Sequence, residues 1–126
     1  MEALYIKGAE DTPEVILDKE KNVFELTGKS LPEDVIEFYN PIFSWAEEYA
    51  KSPNDVTDVK IKIIYFNSAS QRSLNEFLTI LKKIELRNCT VNIHWYYDED
   101  DEEMYDSGEE FADITELNFV YHPYQL

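Results

Sequence analysis

Between residues 59 and 121 the spacing of apolar residues changes period repeatedly, and that alternation admits few architectures. Val59, Ile61, Ile63 and Tyr65 alternate with Lys60 and Lys62, the period of a strand in a sheet, before the pattern turns fully apolar at Ile64 and Phe66. The apolar far end predicts burial on both faces, as in a covered parallel sheet. Leu74, Phe77, Leu78, Leu81 and Ile84 then recur at helical steps, the cleanest such stripe in the chain. Val91, Ile93 and Trp95 return to period two and run on into Tyr96-Tyr97. Residues 99–113 carry a weaker helical pattern anchored by Met104, Tyr105, Phe111 and Ala112, and 117–121 reads as a last strand. A βαβαβ order calls for parallel strands joined by right-handed crossovers.

The first half adds strands of another kind. Leu4-Tyr5-Ile6 is a short strand. Glu14–Asp18 and Asn22–Leu26 flank a charged four-residue gap and predict an antiparallel hairpin, with a turn that has no Gly to set its geometry. Ser30-Leu31-Pro32-Glu33 has capping-box spacing and predicts the start of the first long helix. Val35, Phe38, Tyr39, Ile42, Trp45, Ala46 and Tyr49 give that helix an apolar stripe, which Pro41 should kink or break. The predicted fold class is α/β, bordering on α+β: one mixed sheet with an N-terminal antiparallel hairpin, a βαβαβ second half and helices packed on it. At 126 residues, with no internal repeat or Gly/Ser-rich tether, residues 1–126 read as one domain.

Charge excludes several function classes. There are 27 acidic and 11 basic residues, a net charge of −16, and no basic residue follows Arg87. Nucleic acid and anionic membrane surfaces are therefore not expected partners. The imbalance is local: residues 1–97 hold 16 acidic and 11 basic residues, and residues 98–126 hold 11 acidic and none basic. Asp98, Glu99, Asp100, Asp101, Glu102 and Glu103 form an unbroken run, expected to be a solvated acidic face or a contact surface for a basic partner. The lone Cys89 cannot build a disulfide framework. The opening MEALYIKGAEDTPE lacks the basic and apolar regions of a secretion leader, and no apolar run approaches the ~20 residues of a membrane span. The expected location is the cytoplasm.

Catalytic and cofactor motifs are missing from the sequence. Three glycines build neither a dinucleotide fingerprint nor a phosphate-binding loop. Cys89, His94 and His122 match no zinc spacing and read as ordinary strand and terminal residues, and neither histidine has a nucleophile at supporting spacing. Asp98, Asp100 and Glu102 alternate like the first ligands of an EF-hand, but Glu103 stands where Gly is needed. No metal, cofactor or enzymatic activity is expected.

The informative segment is Tyr65-Phe66-Asn67-Ser68-Ala69-Ser70-Gln71-Arg72, which joins the central strand to the cleanest helix. Ser68 and Gln71 have capping-box spacing, so Ser68 reads first as a helix cap. The same place also suits an anion, because unpaired N–H groups and the positive end of the dipole gather at a helix start. A phosphate on Ser68 would add ~1.5–2 negative charges there.

These residues together resemble the SiaC family of bacterial regulatory phosphoproteins, over nearly the whole chain. The resemblance rests on Thr12-Pro13, Gly28-Lys29-Ser30-Leu31-Pro32-Glu33, Phe38-Tyr39-Asn40-Pro41 with Trp45 and Tyr49, Tyr65–Ser70, Trp95-Tyr96-Tyr97 before the acidic run, and Gly108-Glu109-Glu110-Phe111. It implies a STAS-type architecture, like that of anti-sigma-factor antagonists, and a partner switch in place of an enzyme. The implied phosphoacceptor is Ser68, where the characterised member has Thr, with Ser70 a competing site. The implied partners are a dedicated kinase, a PP2C-type phosphatase and a diguanylate cyclase that the unphosphorylated form activates. Asn67, Ser70 and Arg72 would contact partners, and Arg72, one turn into the helix, could pair with the phosphate. The acidic run would lie apart from this corner. The alternative function is an acidic adaptor that works without phosphorylation.

Overall fold

The alternation of periods resolves into ten elements in the computed structural model, which describes residues 1–125. In order they are β1 (Leu4–Ile6), β2 (Glu14–Asp18), β3 (Val23–Ser30), α1 (Val35–Lys51), β4 (Val56–Phe66), α2 (Ser68–Lys82), a 3-10 turn (Lys83–Arg87), β5 (Thr90–Asp98), α3 (Glu102–Thr115) and β6 (Asn118–Tyr124). The strands lie in the sheet in sequence order. β1–β2 and β2–β3 are antiparallel, and β3 to β6 are parallel. This is the mixed sheet expected from the sequence. The hairpin turn without Gly closes through Asn22, which adopts a left-handed φ of 56° that Asn tolerates better than most residues.

Each parallel strand lies beside the one before it, so three right-handed crossovers place α1, α2 and α3 on one face. That face holds Val15, Leu17, Phe24, Leu26, Val59, Ile61, Ile63, Val91, Ile93 and Trp95, all buried. The opposite face carries no helix, which overturns the expected two-sided burial at the end of β4. Ile64 is 44% and Tyr65 52% exposed. A β-bulge contributes: Gly28 pairs with Ile63 but Lys29 with Tyr65, leaving Ile64 as an extra residue. Gly28 has φ +126°, a conformation open to glycine, and sits at this register shift.

Two helix expectations also change. α1 starts at Val35, capped by Asp34, whose Oδ1 accepts the Glu37 N–H at 3.0 Å. Ser30 is not a cap: it is the last residue of β3 and fully buried. Pro41 does not break α1, which runs through it to Lys51. Pro41 and Glu37 are both exposed, so the carbonyl that Pro41 leaves unpaired can face water. The buried stripe is Tyr39, Ile42, Trp45, Ala46, Tyr49 and Ala50, and the Trp45 and Tyr49 rings stack at 5.1 Å.

α3 begins three residues later than the weak pattern suggested, because Asp101 caps it by accepting the Met104 N–H at 3.0 Å. It docks through Met104, Gly108 and Phe111 against Trp95, whose Nε1–H donates to the Met104 carbonyl at 3.0 Å. No helix among the described residues is long and apolar enough to cross a membrane.

Gly108 is required by this approach: a Cβ there would lie 2.6 Å from Cδ1 and Nε1 of Trp95. Gly108→Ala gains helix propensity of ~1 kcal/mol, but overpacking a rigid indole costs ~1–3 kcal/mol. The expected outcome in urea unfolding is a lower midpoint at unchanged slope.

Candidate functional site

The corner between β4 and α2 is built on a short polar chain beneath it. Ser30 at the end of β3 lies in register with Phe66 at the end of β4, and the Asn67 N–H donates to the Ser30 carbonyl at 3.3 Å. The Ser30 hydroxyl lies 2.6 Å from that of Tyr39 on α1 and donates to Ser70 Oγ on α2 at 2.8 Å. Tyr39, Ser30 and Ser70 are each 0% exposed. Burial pushes the Tyr39 hydroxyl above its ordinary value, so it stays neutral and acts as a donor. One hydroxyl chain thus ties β3, α1 and α2 together under the start of α2.

Asn67, not Ser68, caps α2. Its backbone is extended, with φ −89° and ψ 177°, and its Oδ1 accepts the Ser70 N–H at 2.9 Å. Its carbonyl accepts the Gln71 N–H at 2.9 Å. Ser68 is the first helical residue and is exposed, freed from the capping role its spacing suggested. Ser70, two residues on, faces the interior, a position that offers no surface to a partner or a modifying enzyme. That burial weighs against the sequence-based expectation of Ser70 as a contact residue or competing phosphoacceptor. The first turn of α2 carries no acidic residue, so the positive end of its dipole is not neutralised locally.

Arg72 is exposed, four residues after Ser68 and therefore on the same helix face, and joins no ion pair among the described residues. A groove of about 360 Å³ runs between α2 and α3 here. Ser68, Gln71, Arg72 and Asn75 line one wall, and Ser107, Glu110, Phe111 and Ile114 the other. Ile114 is 59% exposed, so the groove offers apolar surface beside one cation and one anion.

The acidic run does not lie apart from this corner. β4 and β5 are parallel, so α2 and α3 start at the same edge of the sheet. Asp101 and Glu103 line a hollow together with Ile64, Tyr65 and Phe66, the residues just before Asn67. The run is also partly structural. Asp98 Oδ1 accepts the Asp100 N–H at 3.0 Å, Asp101 caps α3, Glu102 and Glu103 sit in its first turn, and Glu99 Oε1 accepts from Gln125 at 2.6 Å. Carboxylates at that helix start are favoured by the dipole. A second hollow of about 430 Å³ is lined by Tyr97, Glu99, Asp101, Glu102, Tyr105 and Asp106. Carboxylates, Glu109 first, push the Tyr105 hydroxyl above its ordinary value, a sign of negative potential there. Among the described residues no three His, Cys, Asp or Glu side chains are grouped to hold a metal ion.

Sequence reasoning missed one cluster. His94 and His122 meet at 2.8 Å on the open face of the sheet, and His94 also meets Asp58 at 2.9 Å. The three residues are far apart in sequence, and only the strand register brings them together.

With this geometry established, comparison with known proteins is specific. A family profile described as "SiaC family regulatory phosphoprotein" matches residues 6–124. The apo-SiaC crystal structure from Pseudomonas aeruginosa superposes with a TM-score of 0.87 at 22% identity, covering 97% of this chain and 99% of that one. SiaC in the crystal structure of the diguanylate cyclase SiaD with its activator SiaC, also from P. aeruginosa, matches with a TM-score of 0.88 at 22% identity, covering 96% and 99%. A comparison with curated proteins finds no significant match.

The buried chain predicts the effect of Ser70→Ala. The variant leaves the buried Ser30 hydroxyl without its acceptor, at a cost of ~1–3 kcal/mol. Chemical denaturation should show that loss. A stability unchanged from the parent would show that Ser30 finds another acceptor.

Proposed function

We propose a function for this chain from one premise: it belongs to the SiaC family of regulatory phosphoproteins. It is a switch protein whose binding partners change with phosphorylation of Ser68. The observation that carries this reading is the contrast at the corner. Ser68 is exposed at the first position of α2 and relieved of capping by Asn67, whereas Ser70 is buried.

The electrostatics support the same reading. A phosphate on Ser68 would meet the unpaired N–H groups at the start of α2, the positive end of its dipole and the guanidinium of Arg72. It would also bring ~1.5–2 negative charges to the rim of a groove whose far wall carries Glu110. The unmodified corner is a mildly charged contact surface, and the modified one repels an acidic or apolar partner segment. Asn67 contributes by fixing the geometry of the corner, and Arg72 by contact.

The partners that fit are a cognate serine/threonine kinase, a PP2C-type phosphatase and an effector bound by the unmodified form. The SiaC of P. aeruginosa is the activator of a diguanylate cyclase, and an enzyme of that kind is the effector we assign here. The chain acts without catalysis of its own, in the cytoplasm. A second reading, an acidic adaptor independent of phosphorylation, is favoured by the hollow between Tyr97 and Tyr105 with its carboxylate rim. Binding through that hollow would fall steeply with salt and ignore changes at Ser68.

Co-expression with the kinase followed by intact-mass measurement tests the assignment. The parent and Ser70→Ala should each gain one phosphate, and Ser68→Ala none. Phosphate persisting on Ser68→Ala would remove Ser68 from the mechanism. Ser68→Asp should weaken effector binding about tenfold, ~1.4 kcal/mol, in titration calorimetry. Equal affinity at that position, with strong salt dependence, would favour the adaptor.

A further inference from the structure

β6 is an edge strand, and on the open face of the sheet its side chains reach inward through a line of titratable groups. His122 Nε2 lies 2.8 Å from His94 Nδ1, and His94 Nε2 lies 2.9 Å from Asp58 Oδ1, so the line crosses β6, β5 and β4 in turn. Asp58 Oδ1 also accepts from Asn92 Nδ2 at 3.1 Å, and Asn118 Nδ2 donates to Asn92 Oδ1 at 2.9 Å. Tyr96 stacks on His122 at 4.5 Å. The bond from His94 holds the Asp58 carboxyl below its ordinary value, so Asp58 remains an anion across the range in which imidazoles ordinarily titrate.

The charged or titratable groups on this face nearest the histidines are Lys60 and Lys62 of β4, Tyr96 and Asp98 of β5, Tyr124 of β6 and Glu25 of β3, the register partner of Lys60. Tyr65, Lys29, Glu14, Asp18 and Tyr5 lie on the same face further along or across the sheet. Lys62 sits over the Tyr124 ring at 4.6 Å. Helices pack only on the opposite face, so no helical charge faces the histidines.

Proton counting decides what the line can do. With both rings neutral, His94 donates from Nε2 to Asp58, and His122 donates from Nε2 to His94 Nδ1. With one proton added, His94 donates at both nitrogens, to Asp58 and to His122 Nε2. Both states keep both hydrogen bonds. With two protons added, each of the facing nitrogens bears a hydrogen and no acceptor remains between them. Two cations then face each other across a 2.8 Å gap, with Lys60 beside them.

We propose that Asp58, His94 and His122 form a proton-operated latch on β6, closed while the histidine pair carries at most one added proton and open when it carries two. Opening on acidification loosens an edge strand whose inner side chains brace other parts of the fold. Phe119 packs on Trp95 at 6.0 Å and Tyr121 on Tyr105 at 5.1 Å, so the latch supports the seat of α3. This inference stands independently of phosphorylation at Ser68.

Amide hydrogen exchange at about pH 7.5 and about pH 4.5 tests it, the lower point lying well below the ordinary histidine value because the second proton must enter beside a cation. After correction for the intrinsic exchange rate, protection across Phe119–His122 should fall roughly three- to tenfold on acidification, the equilibrium worth of one hydrogen bond. In His122→Gln, which takes up no proton, protection should not change with pH. An equal fall in both proteins, or none in the parent, overturns the latch. Nitrogen-15 spectra of the parent's imidazoles give a readout that needs no variant. At the higher pH both rings should carry their proton on Nε2, and a proton on His94 Nδ1 with both rings neutral would also overturn it.

Discussion

Four parallel strands in sequence order require three crossovers of one hand, and the placement of every site described above follows from that constraint. All helices fall on one face of the sheet. Consecutive helices become neighbours, which creates the groove between α2 and α3. Their N-termini emerge at the same edge, where the carboxyl ends of β4 and β5 also lie. The opposite face is left to polar and aromatic side chains whose partners come from adjacent strands, as with Asp58, His94 and His122.

At the corner between β4 and α2, rigidity and exposure come from different residues. The Tyr39–Ser30–Ser70 chain fixes where α2 begins, and Asn67 completes its first turn. Ser68 takes part in neither task. A side chain that carries no structural duty can be chemically altered without undoing the fold beneath it, which is what the proposed switch asks of Ser68.

Elements with strong periodicity were legible in the sequence. The stripe from Leu74 to Ile84 gave α2, and the alternation at Val59–Ile63 and Val91–Trp95 gave β4 and β5. Two of the errors share a cause: capping-box spacing recurs where the residue is not a cap. Ser30 and Ser68 both have it, yet Asp34 and Asn67 accept the helix N–H groups, because register places Ser30 under the sheet edge and Ser68 past the turn. Periodicity also could not show which face of β4 would be covered, since that depends on crossover hand and a bulge at Gly28. The acidic run was legible as charge, but the capping by Asp101 was hidden among five neighbouring carboxylates. The histidine line depends on strand register alone and left no local signal.

The opposite orientation of two serines only two residues apart makes the fold itself a selectivity filter. An unfolded or nascent chain would present Ser68 and Ser70 to a modifying enzyme in similar chemical settings, and the folded chain presents one of them. The pattern of modification would therefore keep a record of order in time. If the proposed switch holds, a mark on Ser70 would date from before folding, with a phosphate opposing the burial of that residue beside Ser30 and Tyr39, whereas a mark on Ser68 alone would fit either state.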